Sequence, residues 1–162
     1  MYEYRCTVLK VVDGDTADVD IDLGFGIVLT DERVRLMGID TPESRTSDKV
    51  EDLFGELAKA RLKELIAGKS GPILKTQINK DGEDMKGKFG RILGDFEVEK
   101  DGERRMATDV LIEEGHAVAY FGGSKEEIAA KHLVNRDKLL REGLVSQEDF
   151  DKATAIMEKK NS

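Results

Sequence analysis

The residues best suited to catalysis lie in one segment, Arg33 to Glu43, which reads RVRLMGIDTPE. Arg35 lies on a strand-like run, Asp40 ends that run, and Glu43 follows the turn at Pro42. A guanidinium binds phosphate oxygens, one carboxylate can hold a hard cation, and another can activate water. Hydrolysis of a phosphodiester requires this combination of groups.

A second carboxylate is predicted to join the site from Asp15, which follows the tight turn Asp13-Gly14. If the first three strands form an antiparallel meander, Asp15 and Asp40 lie at the same end of the sheet. Their oxygens suit a hard cation, and no His or Cys nearby suggests zinc. The residues from Asp40 to Glu43 are also typical of an ordinary turn, but Asp15 and Arg35 at the same end favour a site.

Arg91, near the start of another predicted strand, is the candidate for a second guanidinium. Two arginines can stabilise the charge of a pentacoordinate transition state. Glu43 is the candidate general base because it lies past the turn and is not needed as a metal ligand.

Other polar and aromatic residues carry weaker signals. Tyr120, together with Phe121, could stack on a nucleobase, although packing in the core explains both residues equally well. His116 and His132 stand alone and far apart, which indicates structural or surface roles. No Walker loop is present, and Gly24-Phe25-Gly26 lacks the continuation of a dinucleotide-binding motif.

The composition indicates a single polar domain. The chain has 162 residues, of which 39% are hydrophobic and 37% charged, and the formal net charge is −8. This negative net charge counts against a protein that coats DNA, but less against an enzyme whose acidic cluster binds a cation. Cys6 is the only cysteine, so no intramolecular disulfide forms and a buried strand position is expected.

The length of the apolar runs and the N-terminal sequence also bear on the cellular location of the protein. No apolar run is long enough to span a membrane, and the N-terminus lacks a signal-peptide pattern, which favours a cytoplasmic or other intracellular location. No obligate protein partner is indicated, and a monomer is expected.

Alternating and helical patterns follow one another in a characteristic order. Strands are predicted at residues 4–12, 16–23, 27–39, 73–79 and 89–98, with a return arm at 103–106. Helices are predicted from Asp48 to Gly68, from Thr108 to Gly115, from Ser124 to Gly143, and from Ser146 onwards. Three strands, a helix, two strands and then helices predict an α+β protein, a five-stranded OB-fold barrel with C-terminal helices.

In the second predicted strand, the four apolar residues Ala17, Val19, Ile21 and Leu23 should face inward. The acids between them, Asp18, Asp20 and Asp22, should form a solvated face. Arg33 receives no role.

Three motifs together resemble the staphylococcal nuclease, or thermonuclease, family. They are VDGDT at 12–16, RLMGIDTPE at 35–43 and KFGR at 88–91, and the similarity covers most of residues 4–142. The resemblance implies an OB-fold nuclease that requires calcium, cuts DNA and RNA with little sequence preference and leaves 3′-phosphate ends. It implies a nuclease domain over residues 1–143, followed by a helical extension over 144–162 to which no role is assigned.

The resemblance also implies roles for individual residues. Asp15 and Asp40 are similar to the calcium-ligating carboxylates, Thr41 to the ligand acting through its backbone carbonyl, and Asp13 to an acid just outside the ligand set. Which step the glutamate at Glu43 performs, orienting the water or deprotonating it, stays open.

Further matches concern the substrate. Arg35 and Arg91 are similar to the phosphate-binding arginines, and Lys88 to a lysine near the terminal phosphate of a bound nucleotide. Phe89 stands where the family commonly has tyrosine, so a hydroxyl contact to phosphate would be absent.

Two alternatives to a nuclease remain. One is a non-catalytic OB-fold module that binds nucleic acid or protein, and the other is a structural domain stabilised by a metal. A binding module has no reason to retain all five chemical residues, namely Asp15, Arg35, Asp40, Glu43 and Arg91. A structural metal site would need the carboxylates but not the two arginines.

Overall fold

The computed structural model describes residues 2–67, 71–77 and 90–162. The strands in this part of the chain are β1 (Glu3–Asp13), β2 (Thr16–Gly24), β3 (Ile27–Leu36), β4 (Ile39–Asp40), β5 (Ile73–Thr76), β6 (Ile92–Lys100), β7 (Glu103–Met106) and β8 (Val118–Ala119). The helices are α1 (Lys49–Ile66), α2 (Ala107–Glu114), α3 (Lys125–Arg141) and α4 (Gln147–Lys160). Gly68 and the turn predicted at Asp81-Gly82 lie outside these residues.

Five strands close into a barrel, which confirms the predicted OB-fold. The sheet order is β3-β2-β1-β5-β6-β7, and β3 also pairs with β6. That last pairing is parallel, with Val34 opposite Ile92 and Arg35 opposite Leu93, and it joins the two ends of the sheet. Because the barrel closes, its strands do not leave two fully unpaired edges of the sheet. Closure also places Arg35 beside the strand that Arg91 precedes.

The core forms where the inward-facing side chains of the barrel meet α1 and α2. It includes Val19, Val34, Leu36, Leu62, Leu74, Phe96 and Leu111, all almost fully buried. Cys6 belongs to this core as expected, and burial raises the pKa of its thiol to about 12. The thiol is therefore a packing group rather than a nucleophile at neutral pH.

The third predicted strand divides into two pieces. β3 ends at Leu36, and Gly38 follows with a left-handed φ of 81° that only glycine adopts without strain. Ile39 and Asp40 then pair with Ala119 and Val118 to form a separate two-stranded sheet. This small sheet was not predicted, because its two partners lie far apart in the sequence.

The acidic face of β2 is only partly solvated. Asp18 is 9% exposed, and both of its carboxylate oxygens accept hydrogen bonds from the guanidinium of Arg33, at 2.8 and 3.1 Å. The prediction of a solvated Asp18 was therefore wrong, and Arg33 has a structural partner. Leu23, predicted to face inward, is 37% exposed because it lies near the β2–β3 turn, with Gly24 paired to Ile27.

Three helices begin at the residues predicted to cap them. The side chains of Asp48, Ser124 and Ser146 accept hydrogen bonds from backbone N–H groups in the first turns of α1, α3 and α4. Thr108 does not cap α2, which begins at Ala107. Its N–H and hydroxyl instead donate to Asp95 of β6, so the acceptor comes from a distant strand.

The pH dependence of stability should reveal the raised pKa of Asp95. Burial raises the pKa of this carboxyl group to about 6, although hydrogen bonds from Thr108 and the Phe96 N–H oppose the shift. The folded state then binds this proton more tightly than the unfolded state does, so stability from this group is lost as the pH rises through about 6. Between about pH 4 and pH 7, the free energy of unfolding of the wild type should fall by about 2 kcal/mol relative to that of Asp95→Asn, as measured by urea denaturation.

The exposed carboxylate of Asp101 supplies the control for this comparison. Asp101→Asn should leave the pH profile unchanged. Parallel profiles for wild type and Asp95→Asn would contradict the assignment.

The last helix packs on the first one. Phe150 of α4 meets Phe54 of α1 with ring centroids 6.2 Å apart in an edge-on arrangement, and Leu139 and Val145 complete a second small core. The sequence left this helix without a role, and the structure gives it a packing partner. Division of the chain at residue 143 stays a prediction.

Candidate active site

The predicted site residues of the motifs at 12–16 and 35–43 meet at one end of the barrel. They line a cleft of about 610 Å³ formed by Asp13, Asp15, Thr16, Arg35, Asp40, Thr41, Pro42, Glu43, Ser44, Arg45 and Arg91. The β1–β2 turn, the end of β3, the loop between β4 and α1, and the residue before β6 each contribute. The meander therefore brings Asp15 and Asp40 to the same end, as expected.

Asp15 is held by its own backbone and by its neighbour. Its carbonyl oxygen accepts a hydrogen bond of 2.8 Å from the N–H of Leu36, which ties the turn to β3. The hydroxyl of Thr16 donates to Oδ1 at 2.8 Å. Oδ2 lies 3.3 Å from Nη2 of Arg35, so the guanidinium neutralises this carboxylate.

Arg35 is anchored on two sides of its guanidinium. Besides the ion pair with Asp15, its nitrogens donate to the carbonyl oxygens of Leu36 and, at 3.3 Å, of Ile39. These contacts orient the side chain across the base of the cleft. A phosphate group in the cleft would meet a guanidinium that is already positioned and only half-buried.

Asp40 lies at the end of the small sheet, where it pairs with Val118. Its Oδ2 lies 2.6 Å from Nε2 of His132, a residue of α3. Thr41 follows and is buried. Asp40 thus reaches the cleft from a backbone that the C-terminal half of the chain holds in place.

Glu43 is exposed in the cleft. Its side chain has no hydrogen bond or ion pair with any part of the chain that the structure describes. The loop behind it is secured instead: the hydroxyl of Ser44 donates to Asp13, and the N–H of Arg45 donates to Asp52 at 2.6 Å. A carboxylate without a competing partner is suited to accept a proton.

Helix α1 positions both acidic loops by close approach. A Cβ atom added at Gly55 would overlap the carbonyl group of Glu43 and lie 2.7 Å from the nitrogen of Ser44. A Cβ atom at Gly14, in the β1–β2 turn, would lie 2.8 Å from Cβ of Ala58. The small residues on this face therefore allow two loops to rest on one helix.

The acidic groups near the cleft influence one another. Burial raises the pKa of Glu51, on the first turn of α1, and the carboxylates of Glu43 and Asp48 raise it further. His132 and Arg136 oppose this effect. The acidic end of the site thus continues towards α3, which carries His132 and Arg136.

The predicted substrate-binding residues are only partly accounted for. Tyr120 is exposed, but it lies in an adjoining groove of about 530 Å³ that shares Asp40 with the cleft. Arg91 reaches the cleft itself. Lys88 and Phe89 lie outside the described residues, so their positions stay predictions.

Oxygen donors dominate the candidate metal position. Asp15, Asp40 and Thr41 offer the hard ligands that calcium prefers, and their cleft has room for water and phosphate oxygens. In the described ranges, no three acidic, imidazole or thiol groups form a ready-made metal cluster. The residues fit a cation that takes part of its coordination from solvent or substrate, as calcium does with its six to eight ligands.

Sequence reasoning missed two contributors to this site. His132 was assigned no contact with the site, yet it touches Asp40, while His116 is buried and structural as expected. Gly55 was counted only as a member of a helix. The single signal available was a glycine in the middle of a helix, which lowers helix stability and calls for a packing reason.

A closed OB-fold barrel thus carries arginines and carboxylates together at one end. Comparison with known families matches residues 33–144, more than half of the chain, to the staphylococcal nuclease homologue family. The chain belongs to this family, as its motifs predicted. No curated protein matches the chain significantly. Each helix in the described ranges is too short or too polar to span a lipid bilayer.

Proposed function

We propose that this protein is a calcium-dependent nuclease that hydrolyses phosphodiester bonds of DNA, RNA or both with little sequence specificity and leaves 3′-phosphate ends. Family membership supports the class of reaction. The observation that carries the proposal is that Asp15, Arg35, Asp40, Glu43 and Arg91 all line one cleft.

Asp15 and Asp40, with the backbone carbonyl of Thr41, would hold the calcium ion. When bound, the ion would neutralise charge on the phosphate and on the two carboxylates. Asp13 acts indirectly, because it accepts the hydroxyl of Ser44 and pairs with Arg45 at 3.8 Å, which fixes the loop that carries Glu43.

The two arginines would bind the non-bridging oxygens of the scissile phosphate. Arg35 already donates to the carbonyl groups of Leu36 and Ile39, so its orientation does not have to be acquired during the reaction. Guanidinium groups stay charged at all relevant pH values and can stabilise the additional negative charge of the pentacoordinate phosphorus.

Glu43 would accept a proton from the attacking water. A new bond forms between the water oxygen and phosphorus, and the bond from phosphorus to the 5′-oxygen breaks. The departing 5′-oxygen takes a proton from solvent and Glu43 later releases its proton to solvent, so the products are a 3′-phosphate and a 5′-hydroxyl. Tyr120, which lines the adjoining groove, would contact a nucleoside next to the cleft.

Cleavage of labelled single-stranded DNA and RNA at low ionic strength tests this proposal. We expect cleavage with calcium and none above background with a chelator. Products should resist extension by a polymerase until a phosphatase removes the 3′-phosphate. Because Arg35 and Arg91 would displace counterions from the phosphates that they bind, the rate at low substrate concentration should also fall with added salt.

Two results would contradict the proposal. Equal cleavage with calcium and with chelator would exclude the metal requirement. Binding of nucleic acid without cleavage at any salt concentration would instead indicate a non-catalytic module.

A further inference from the structure

The contact between α3 and the candidate metal site is the feature that the proposed roles do not use. Nε2 of His132 lies 2.6 Å from Oδ2 of Asp40, although the two residues are 92 positions apart in the chain. An ionised carboxylate can only accept a hydrogen bond, so the imidazole is the donor. The histidine side chain is 15% exposed and that of Asp40 is 45% exposed.

We propose that His132 is a positioning residue that holds one oxygen of Asp40, so that the other oxygen is directed to the cation. This inference rests on the proposed calcium site. A carboxylate on a short strand can rotate between several rotamers, and only some of them present an oxygen to a metal. A hydrogen bond to one oxygen selects among these rotamers before the ion binds.

Hydrogen bonds also hold the backbone around this pair in place. Asp40 pairs with Val118 in the small sheet, and the N–H of Tyr120 donates to the carbonyl of Gly38 at 2.8 Å. Asn135, one turn after His132, donates to the carbonyl of Ala117 at 3.2 Å. The start of β8 is thus bonded to α3, so the histidine and the carboxylate belong to one framework.

This arrangement gives α3 a function beyond packing. Its most buried residue is Leu139, near its C-terminal end, while the turn that carries His132 lines a groove together with Glu51, Tyr120 and Arg136. A helix placed only for hydrophobic burial would not need a histidine there. Partners that hydrogen-bond to metal ligands typically contribute 10- to 100-fold to metal affinity.

Calcium affinity, measured by calorimetry without nucleic acid, tests the role directly. His132→Leu keeps the size of the side chain but removes the donor, and we expect its dissociation constant for calcium to rise by about 10-fold or more. His132→Gln places an amide donor near the position of Nε2, and its affinity should stay within about 3-fold of wild type. Val134→Ala, an exposed position on the same helix, is the matched control.

Nuclease assays provide a second readout. The His132→Leu variant should recover wild-type turnover when calcium is raised in proportion to its weaker affinity. Unchanged calcium affinity in His132→Leu, or equal weakening in the Leu and Gln variants, would overturn the inference. Failure of the wild type itself to bind calcium or to cleave would overturn the proposed function instead, so the two failures are distinguishable.

Discussion

Replacing Glu43 with glutamine should lower the turnover number by about 100-fold or more while calcium still binds. The substitution keeps the shape of the side chain but removes the group that accepts the proton from water. Because Glu43 is exposed and has no partner among the described residues, the change should leave the free energy of unfolding almost unaltered. Steady-state kinetics on single-stranded DNA, with calorimetry of calcium binding, measures both effects.

Glu56→Gln is a suitable control for this experiment. Glu56 is an exposed carboxylate on α1, so its replacement removes the same charge from the same region. If both variants retained full turnover, Glu43 would not be the general base. If Glu43→Gln lost calcium binding, the residue would be a metal ligand instead.

Gly55→Ala should destabilise the protein and lower nuclease activity more than 10-fold. Alanine is the better helix former by about 1 kcal/mol, so a simple propensity argument predicts stabilisation. The added methyl group would overlap the backbone of Glu43, however, and overpacking of this kind costs about 1–3 kcal/mol. The loop should move away from α1 and take the candidate base with it. Thermal unfolding and kinetic assays would report the two effects.

Gly123→Ala tests whether adding a methyl group to a glycine is harmful in itself. A Cβ atom there would lie 3.4 Å from the side chain of Glu127, an ordinary contact, so stability and activity should persist. A Gly55→Ala variant that is more stable than wild type and fully active would show that the loop does not depend on this close approach.

The two halves of the site could be predicted from the sequence to different degrees. Arg35, Asp40 and Glu43 were recognisable because they follow one another within one short segment. Asp15 could be added from the up-and-down path of three consecutive strands, since neighbouring antiparallel strands reverse direction at each turn. Arg91 was a candidate because of its position at a strand and its motif, and the parallel pairing of β3 with β6 explains how it reaches the cleft that Arg35 also lines.

Errors arose where the partner was distant. Thr108 looked like a helix cap because its side chain is of the capping type, yet Asp95 takes both of its donors. Asp18 looked solvated because it alternates with apolar residues, yet Arg33 on the adjacent strand pairs with it. A periodic pattern indicates which face a side chain occupies but does not identify what covers that face.

The sequence by itself determined the order of the main strands and helices, the OB-fold class and the kinds of chemical groups in the site. These depend on alternation, capping residues and short motifs, all of which are local. Only the tertiary structure decided that Glu43 rests on Gly55 and that His132 holds Asp40. Such contacts join residues far apart in the chain, and they exist only after the barrel and its helices have packed, so no local pattern encodes them.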